Sequence, residues 1–119
     1  MKIEGPAVRL TIFVGEDDNW HHKPLYHEIV HRAHVAGLAG ASVLRGIEGF
    51  GRAARIHTTR ILRLSEYLPI VIEVVDQEDR LRAILPELET MLADGLITAE
   101  PVEVIAYRSR SVDEAAERG

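Results

Sequence analysis

Residues 37–52 read GLAGASVLRGIEGFGR, and this stretch decides where the second strand ends and a loop begins. Aliphatic residues separate its five glycines, which is unusual in a flexible linker. The stretch closes with Gly49-Phe50-Gly51-Arg52. Its glycines leave backbone N–H groups accessible, and Arg52 adds a guanidinium. Together these groups suit the binding of a phosphate. Glycines at this spacing also simply end a helix and begin a strand, so the spacing alone leaves both interpretations open.

Composition restricts the class of protein. A chain of 119 residues suits one domain with a modest core, here residues 8–108, followed by a polar tail expected to be frayed. A formal net charge of -5 argues against general nucleic-acid binding. The sequence has no cysteine, no apolar signal core at its start and no apolar run approaching ~18 residues. These features predict a soluble, cytoplasmic protein without disulfides.

Hydrophobic periodicity predicts four strands and two helices. Alternating residues give strands at 8–14, 41–48, 68–75 and 102–106, with polar loops at 15–23 and 52–66. Pro24 suits the first turn of a helix that buries Leu25, Ile29, Ala33 and Ala36 and stops at Gly37. Asp76 is expected to cap the second helix, which buries Leu81, Ile84, Leu88 and Met91. Pro86 should kink or split that helix.

The element order is β-α-β-β-α-β, which is the α+β, ferredoxin-like arrangement. Such a fold has an antiparallel sheet with two helices on one face and leaves the other face bare. We expect Ile70, Ile72 and Val104, or their alternating partners, to line the bare face. Glu73 is expected to be a charge at the edge of the sheet. Self-association into a homotrimer is the predicted way of covering this apolar area.

Several motifs resemble the PII signalling proteins, in particular a divergent PII-like branch. The resemblance extends over residues 8–108 and depends on motifs that occur in the family's order. They are Gly37-x-x-Gly40-x-Ser42-Val43, Lys23-Pro24-Leu25-Tyr26, Gly46-Ile47-Glu48-Gly49-Phe50-Gly51, Leu68-Pro69-Ile70-Val71-Ile72 and Asp94-Gly95-Leu96-Ile97-Thr98.

The resemblance implies a homotrimer that binds an adenine nucleotide between subunits. It also implies that the protein has no catalytic activity or cofactor, and that a mobile loop signals to a partner such as a membrane transporter. The family places the cleft at the end of the second strand, the base of the loop and the turn before the last strand. The matching residues here are Gly40, Ser42, Gly49, Phe50, Gly51, Arg52, Gly95 and Leu96, with Arg108 nearby.

Two departures from the PII pattern concern the phosphates. Ala53 stands where the family has glutamine. Leu96-Ile97 and a single Arg108 stand where the family has a lysine and paired arginines. The resemblance therefore implies a preference for AMP or ADP over ATP.

The basic segment after the glycines carries Arg55, His57, Arg60 and Arg63. It is interpreted either as a solvated loop or as a mobile docking surface for an acidic partner or a phosphate. His57 is also the one residue that would support a small ferredoxin-fold enzyme. The sequence shows no Ser/His/Asp order and no paired carboxylates for such chemistry.

His27, His31 and His34 are spaced to share one helical face. Two histidines one turn apart can chelate Zn²⁺ or Cu²⁺, as in a trimer resembling the divalent-cation-tolerance proteins. A solvated polar face explains the same spacing and is the favoured interpretation, so no metal site is assigned.

Overall fold

The computed structural model describes residues 4–49, 57–58 and 68–109. Within these ranges eight strands and two helices occur in chain order. They are β1 (Gly5–Gly15), β2 (Asn19–Trp20), β3 (Lys23–Pro24), α1 (Leu25–Val35), β4 (Ala41–Arg45), β5 (Glu48–Gly49), β6 (His57–Thr58), β7 (Pro69–Asp76), α2 (Glu78–Met91) and β8 (Leu96–Val104).

The four long strands form one antiparallel sheet in the order β4-β7-β1-β8. This is the ferredoxin-like arrangement that the sequence predicts, because the two strands that meet at the centre are the first and third long strands. The pairs β2–β3 and β5–β6 form two separate two-stranded sheets. The predicted α+β fold with two helices and an antiparallel sheet is confirmed.

Alternation along β7, and along β1 from Leu10 onward, separates the two faces of the sheet. Even-numbered side chains pack under α1 and α2, and Ile12 and Ile72 at the centre are both fully buried. The core is completed by aliphatic residues of both helices. Its members are Leu10, Ile12, Val14, Leu25, Ile29, Ile70, Ile72, Val74, Leu81, Ile84, Leu88 and Met91.

Ile70 and Ile72 therefore lie on the helix-covered face, so of the two sets of β7 residues that the sequence left open, the alternating partners line the bare face. Alternation shows which residues share a face but not which face the helices take. Their partner Val71 lies on the open face, as does Val104.

The open face is arranged in rows that cross all four strands. Leu44, Val71, Phe13 and Leu96 are paired in register and form an apolar row. The next row, from β4 to β8, is polar: Ser42, Glu73, Thr11 and Thr98. Glu73 belongs to a central strand, so the prediction that it is an edge charge is wrong.

The first helix begins and ends close to where the sequence predicts. Pro24 is the N-cap, one residue before the helix, and Gly37 follows the C-cap with φ of 76°. The Leu38 N–H donates to the Ala33 carbonyl at 3.2 Å, and the Gly37 N–H donates to the His34 carbonyl at 3.0 Å. These bonds form a Schellman motif, which glycine at this position permits. Ala36, predicted to be buried, is exposed.

The second helix differs from the predictions in its continuity and in its N-cap. It runs from Glu78 to Met91 without a break at Pro86, so the split does not occur. Its N-cap is Gln77. Asp76 does not cap it but ends β7 as a fully buried carboxylate, which has a different partner described below.

Three strand predictions differ from the structure. The loop predicted at 15–23 contains the β2–β3 hairpin, whose turn residues His21 and His22 have φ of 49° and 68°. Positive φ at both positions is what a type I′ turn requires, and histidine tolerates it better than most residues. The second strand ends at Arg45 rather than at residue 48. The last strand begins at Leu96, six residues earlier than predicted.

Candidate functional site

The cleft at the beginning of β4 has a volume of about 430 Å³ and is called the β4 cleft. Backbone before and within β4 forms its floor, and open-face side chains of β7 together with the segment after β8 form its walls. The lining residues are Ala39, Gly40, Ala41, Ser42, Glu73, Val75, Val104, Ala106 and Tyr107.

Gly40 and Ser42 lie in this cleft, as two members of the predicted site. They are at the beginning of the second long strand, not at its end, where the resemblance placed them. A Cβ atom added to Gly40 would meet no atom within 4 Å, so a ligand can approach this backbone closely. Ser42 is paired across the strands with Glu73, and both side chains are on the open face. The cleft thus presents a hydroxyl and a carboxylate beside apolar walls.

Two hydrogen bonds fix the backbone of Ala39 at the floor of the β4 cleft. Its N–H donates to the fully buried carboxylate of Asp76 at 2.9 Å. Its carbonyl accepts a hydrogen bond from the Tyr107 hydroxyl at 3.0 Å. Asp76 also accepts from the Gln77 N–H at 2.6 Å and lies 3.9 Å from the Arg80 guanidinium. Because a buried carboxylate is costly without such partners, Asp76 holds this connection firmly.

A second group of predicted residues lies at the opposite end of the sheet. Gly49 packs on Pro69, where a Cβ atom would come within 3.1 Å of the ring. Gly95 has φ of 148°, and a Cβ atom there would lie 2.7 Å from the Phe13 carbonyl oxygen. Leu96 begins β8 and belongs to the apolar row. The structure therefore explains Gly49 and Gly95 by packing, and within one subunit it does not bring them to Gly40 and Ser42.

The remaining predicted residues are described in part. His57 is in β6, where its backbone pairs with Gly49. Arg108 is exposed, one residue after Tyr107. Phe50, Gly51, Arg52, Arg55, Arg60 and Arg63 lie outside the described residues, as does most of the loop predicted at 52–66.

Charge is unevenly distributed around the β4 cleft. Glu73 is a lining carboxylate, and the lining includes no lysine or arginine. Arg9, on the next row of the open face, forms an ion pair with Glu100 across β1 and β8. The hydrogen bond to Glu100 raises the pKa of the Arg9 guanidinium above its ordinary value. The described surface of the cleft itself therefore favours a neutral or amino-bearing group over a phosphate.

The histidine face of α1 is exposed, as predicted. His27 and His31 line a depression of about 610 Å³, whereas His34 does not. The acidic groups beside them already have partners. Glu28 lies 3.7 Å from Lys23, and Glu87 is ion-paired with Arg32. Among the described residues, no group of three His, Asp or Glu side chains is arranged to hold a metal ion.

Sequence reasoning missed Tyr107, Ala39 and the role of Glu73. Glu73 had a signal, because one carboxylate in an aliphatic strand marks a position on the open face. Tyr107 had no such signal, since its partner is 68 residues away.

None of the helices in the described ranges is long and apolar enough to cross a membrane.

Solved structures similar to this one share its fold at low sequence identity. The PII-like nitrogen regulatory protein CPII from Thiomonas intermedia K12, bound to ADP, AMP and bicarbonate, matches with a TM-score of 0.56 and 18% identity. That match covers 83% of this chain and 88% of CPII. CPII bound to ADP and bicarbonate matches with a TM-score of 0.51 and 17% identity, again covering 83% and 88%. The fold is PII-like, which confirms the resemblance found in the sequence.

Relatives of higher identity have names that state no activity. A UPF0166 protein of Aquifex aeolicus (strain VF5) is 40% identical over 81% of this chain and 90% of its own length. A UPF0166 protein of Methanocaldococcus jannaschii is 36% identical over 74% of this chain and 82% of its own length. The family model DUF190, described as "Uncharacterized ACR", matches residues 7–104. With a PII-like fold and a match over most of its length, this chain belongs to the DUF190 family.

Proposed function

We propose that this protein is a PII-like regulatory homotrimer that binds AMP or ADP between its subunits. The observation that carries this proposal is the β4 cleft, where an accessible glycine backbone adjoins Ser42 and Glu73. Its support from outside the chain is the fold shared with CPII, which was solved with ADP and AMP.

The lining of the β4 cleft suits the base and ribose of a nucleotide. Val75 and Val104 offer apolar contact to a planar base. Glu73 and Ser42 can accept hydrogen bonds from an amino group or from ribose hydroxyls. Because the lining holds no lysine or arginine, the phosphates would extend out of the cleft rather than into it.

The separation of the predicted residues favours a site shared by two subunits. Gly40 and Ser42 lie at one end of the sheet, whereas Gly49 and Gly95 lie at the other. A single site that includes both groups therefore needs two copies of the chain. The exposed apolar row offers the surface through which copies can associate.

Preference for AMP or ADP over ATP follows from the scarcity of cations. Leu96 occupies the position of a family lysine, and the chain has a net charge of -5. Each further uncompensated phosphate should cost about 1 kcal/mol or more. Titration calorimetry with AMP, ADP and ATP, with and without Mg²⁺, tests this order. Binding of ATP tighter than that of AMP and ADP would contradict it, and no binding of any nucleotide would reject the site.

A Ser42→Ala variant supplies a control that is specific for the site. The Ser42 side chain is exposed, so its removal should leave the melting temperature unchanged while it weakens nucleotide binding. The matched variant Thr98→Ala changes a hydroxyl in the same polar row but outside the cleft. Equal loss of affinity in both variants would argue against the β4 cleft.

We assign the protein no catalytic role and place it in the cytoplasm. Signalling would pass through the residues after β5, whose Arg55, His57, Arg60 and Arg63 suit an acidic surface of a partner protein, such as a membrane transporter. Limited trypsin digestion, followed by mass spectrometry, tests whether nucleotide slows cleavage at Arg55, Arg60 or Arg63. Cleavage at the same rate with and without nucleotide would show that nucleotide binding does not affect this segment.

A further inference from the structure

The segment from Ile105 to Ser109 contributes Ala106 and Tyr107 to one wall of the β4 cleft, although it starts at the far edge of the sheet. β8 and β4 are the two edge strands, with β1 and β7 between them. After Val104 the chain turns back, so that Ala106 and Tyr107 line the cleft beside residues 39–42. The chain thereby places a strap of five residues, 105–109, against a site on the opposite edge.

Among the described residues, one side-chain hydrogen bond holds this strap. Tyr107 is half-buried, whereas Ile105, Ala106, Arg108 and Ser109 are exposed. Its hydroxyl donates to the Ala39 carbonyl at 3.0 Å, and this is a hydrogen bond between neutral groups. Such a bond contributes little net free energy, so the strap is weakly held.

The acceptor of that bond is fixed by the core. The Ala39 N–H is bound by Asp76, which is fully buried, so the floor of the cleft keeps its position when the strap moves. Within the described part of the chain, the cleft therefore combines a fixed floor with a wall that is attached by a single side-chain hydrogen bond.

We infer that Tyr107 is a latch that couples nucleotide occupancy of the β4 cleft to the order of the strap. This inference rests on the proposed function. A ligand that touches both floor and wall stabilises the latched state. By linkage, the factor by which the ligand shifts the equilibrium towards the latched state is also the factor by which latching raises the affinity for the ligand. Loss of one neutral hydrogen bond should therefore weaken nucleotide binding about 3- to 10-fold.

The test is Tyr107→Phe, which keeps the ring and removes the hydroxyl. Tyr26→Phe is the matched control, because Tyr26 is also half-buried but lies on α1 away from the cleft. AMP affinity is measured by calorimetry, and amide hydrogen exchange of residues 105–109 is followed with and without AMP. Melting curves check that both variants are folded.

The expected result is that AMP slows exchange of residues 105–109 in the wild type and in Tyr26→Phe. In Tyr107→Phe this protection should be lost and the affinity lowered. A merely structural tyrosine would lower the melting temperature without removing the AMP-dependent protection. Equal AMP affinity and equal protection in Tyr107→Phe would overturn the latch and leave the proposed function standing. Failure of the wild type to bind AMP or ADP would overturn the proposed function and the latch together.

Discussion

The two faces of the four-stranded sheet are made by the same strands but have opposite surroundings. On the face under the helices, Leu10 and Ile72 have exposed fractions of 1% and 0%. On the open face, Phe13, Leu44 and Leu96 have 39%, 49% and 55%. Both sets are apolar, so hydropathy alone does not distinguish them.

Residues on the helix-covered face determine the fold, whereas apolar residues on the open face remain available for association. The helix-covered face is aliphatic except for the buried carboxylate of Asp76 at the end of β7, and it closes within one chain. The open face places an apolar row beside a row of Ser42, Glu73, Thr11 and Thr98. Burying the apolar row is worth about 25 cal/mol for each Å² removed from water, which association with a second copy or a partner would supply.

The largest expected effect is the loss of assembly when a charge enters the apolar row. Phe13→Glu should convert the proposed trimer into monomers, a threefold decrease in mass, because each copy would bury an uncompensated carboxylate. Light scattering at micromolar concentration measures the mass. Val35→Glu is the control, since Val35 is 69% exposed on α1 and outside the sheet. A monomeric wild type, or a trimeric Phe13→Glu, would show that this row does not hold the subunits together.

The two faces should also differ in their cost for the same deletion. Leu10→Ala should lower the free energy of unfolding by about 2–5 kcal/mol, because it leaves a cavity under the helices. Leu96→Ala, measured in the Phe13→Glu background, should change it by about 0.5 kcal/mol or less. Urea denaturation of both variants gives the comparison. Similar costs would mean that the open face is covered within a single subunit.

The sequence predicts the helix-covered face well because its signals are local. The period of 3.6 in both helices places Ile29 and Leu81 correctly in the core, and alternation groups the residues of β1 by face. The open face depends on pairing between distant strands, and alternation cannot tell which face the helices choose. For this reason the sequence leaves two sets of β7 residues open for the bare face, Ile70 and Ile72 or their alternating partners.

The predicted last strand begins at residue 102, directly after Pro101, whereas β8 begins at Leu96. β8 is an edge strand, so the missing N–H of Pro101 can face away from β1 without breaking the ladder. The β4 cleft was predicted only in part. Gly40 and Ser42 could be carried over from a resemblance, whereas the bond of Tyr107 to Ala39 spans 68 residues and leaves no local signal.

Substitution of two glycines compares a position that is closely packed with one that is accessible. Gly95→Ala should destabilise the protein by about 1–3 kcal/mol, because its φ is unfavourable for other residues and the Phe13 carbonyl oxygen is only 2.7 Å from the added carbon. Gly40→Ala should be close to neutral for stability, since nothing lies within 4 Å of that position. Thermal melts compare the two. Destabilisation by Gly40→Ala equal to that by Gly95→Ala would remove the distinction between a packed glycine and an accessible one.

The smallest expected effect concerns Asp18, a carboxylate in the turn between β1 and β2. Burial raises its pKa, a hydrogen bond from the Gly15 N–H opposes that shift, and the charges of Asp17 and Asp94 add to it. Since the folded-state pKa is raised, the stabilisation from this group is complete below the pKa of the unfolded chain. It is lost as pH rises through the folded-state pKa.

Asp18→Asn has no such titration but keeps an oxygen that can accept from Gly15, 2.8 Å away in the wild type. Its stability relative to the wild type should therefore increase between about pH 3 and pH 6, where carboxylates titrate. Urea denaturation of both proteins across this range measures the difference. Parallel pH profiles for the wild type and Asp18→Asn would mean that this turn exposes the carboxylate as fully as the unfolded chain does.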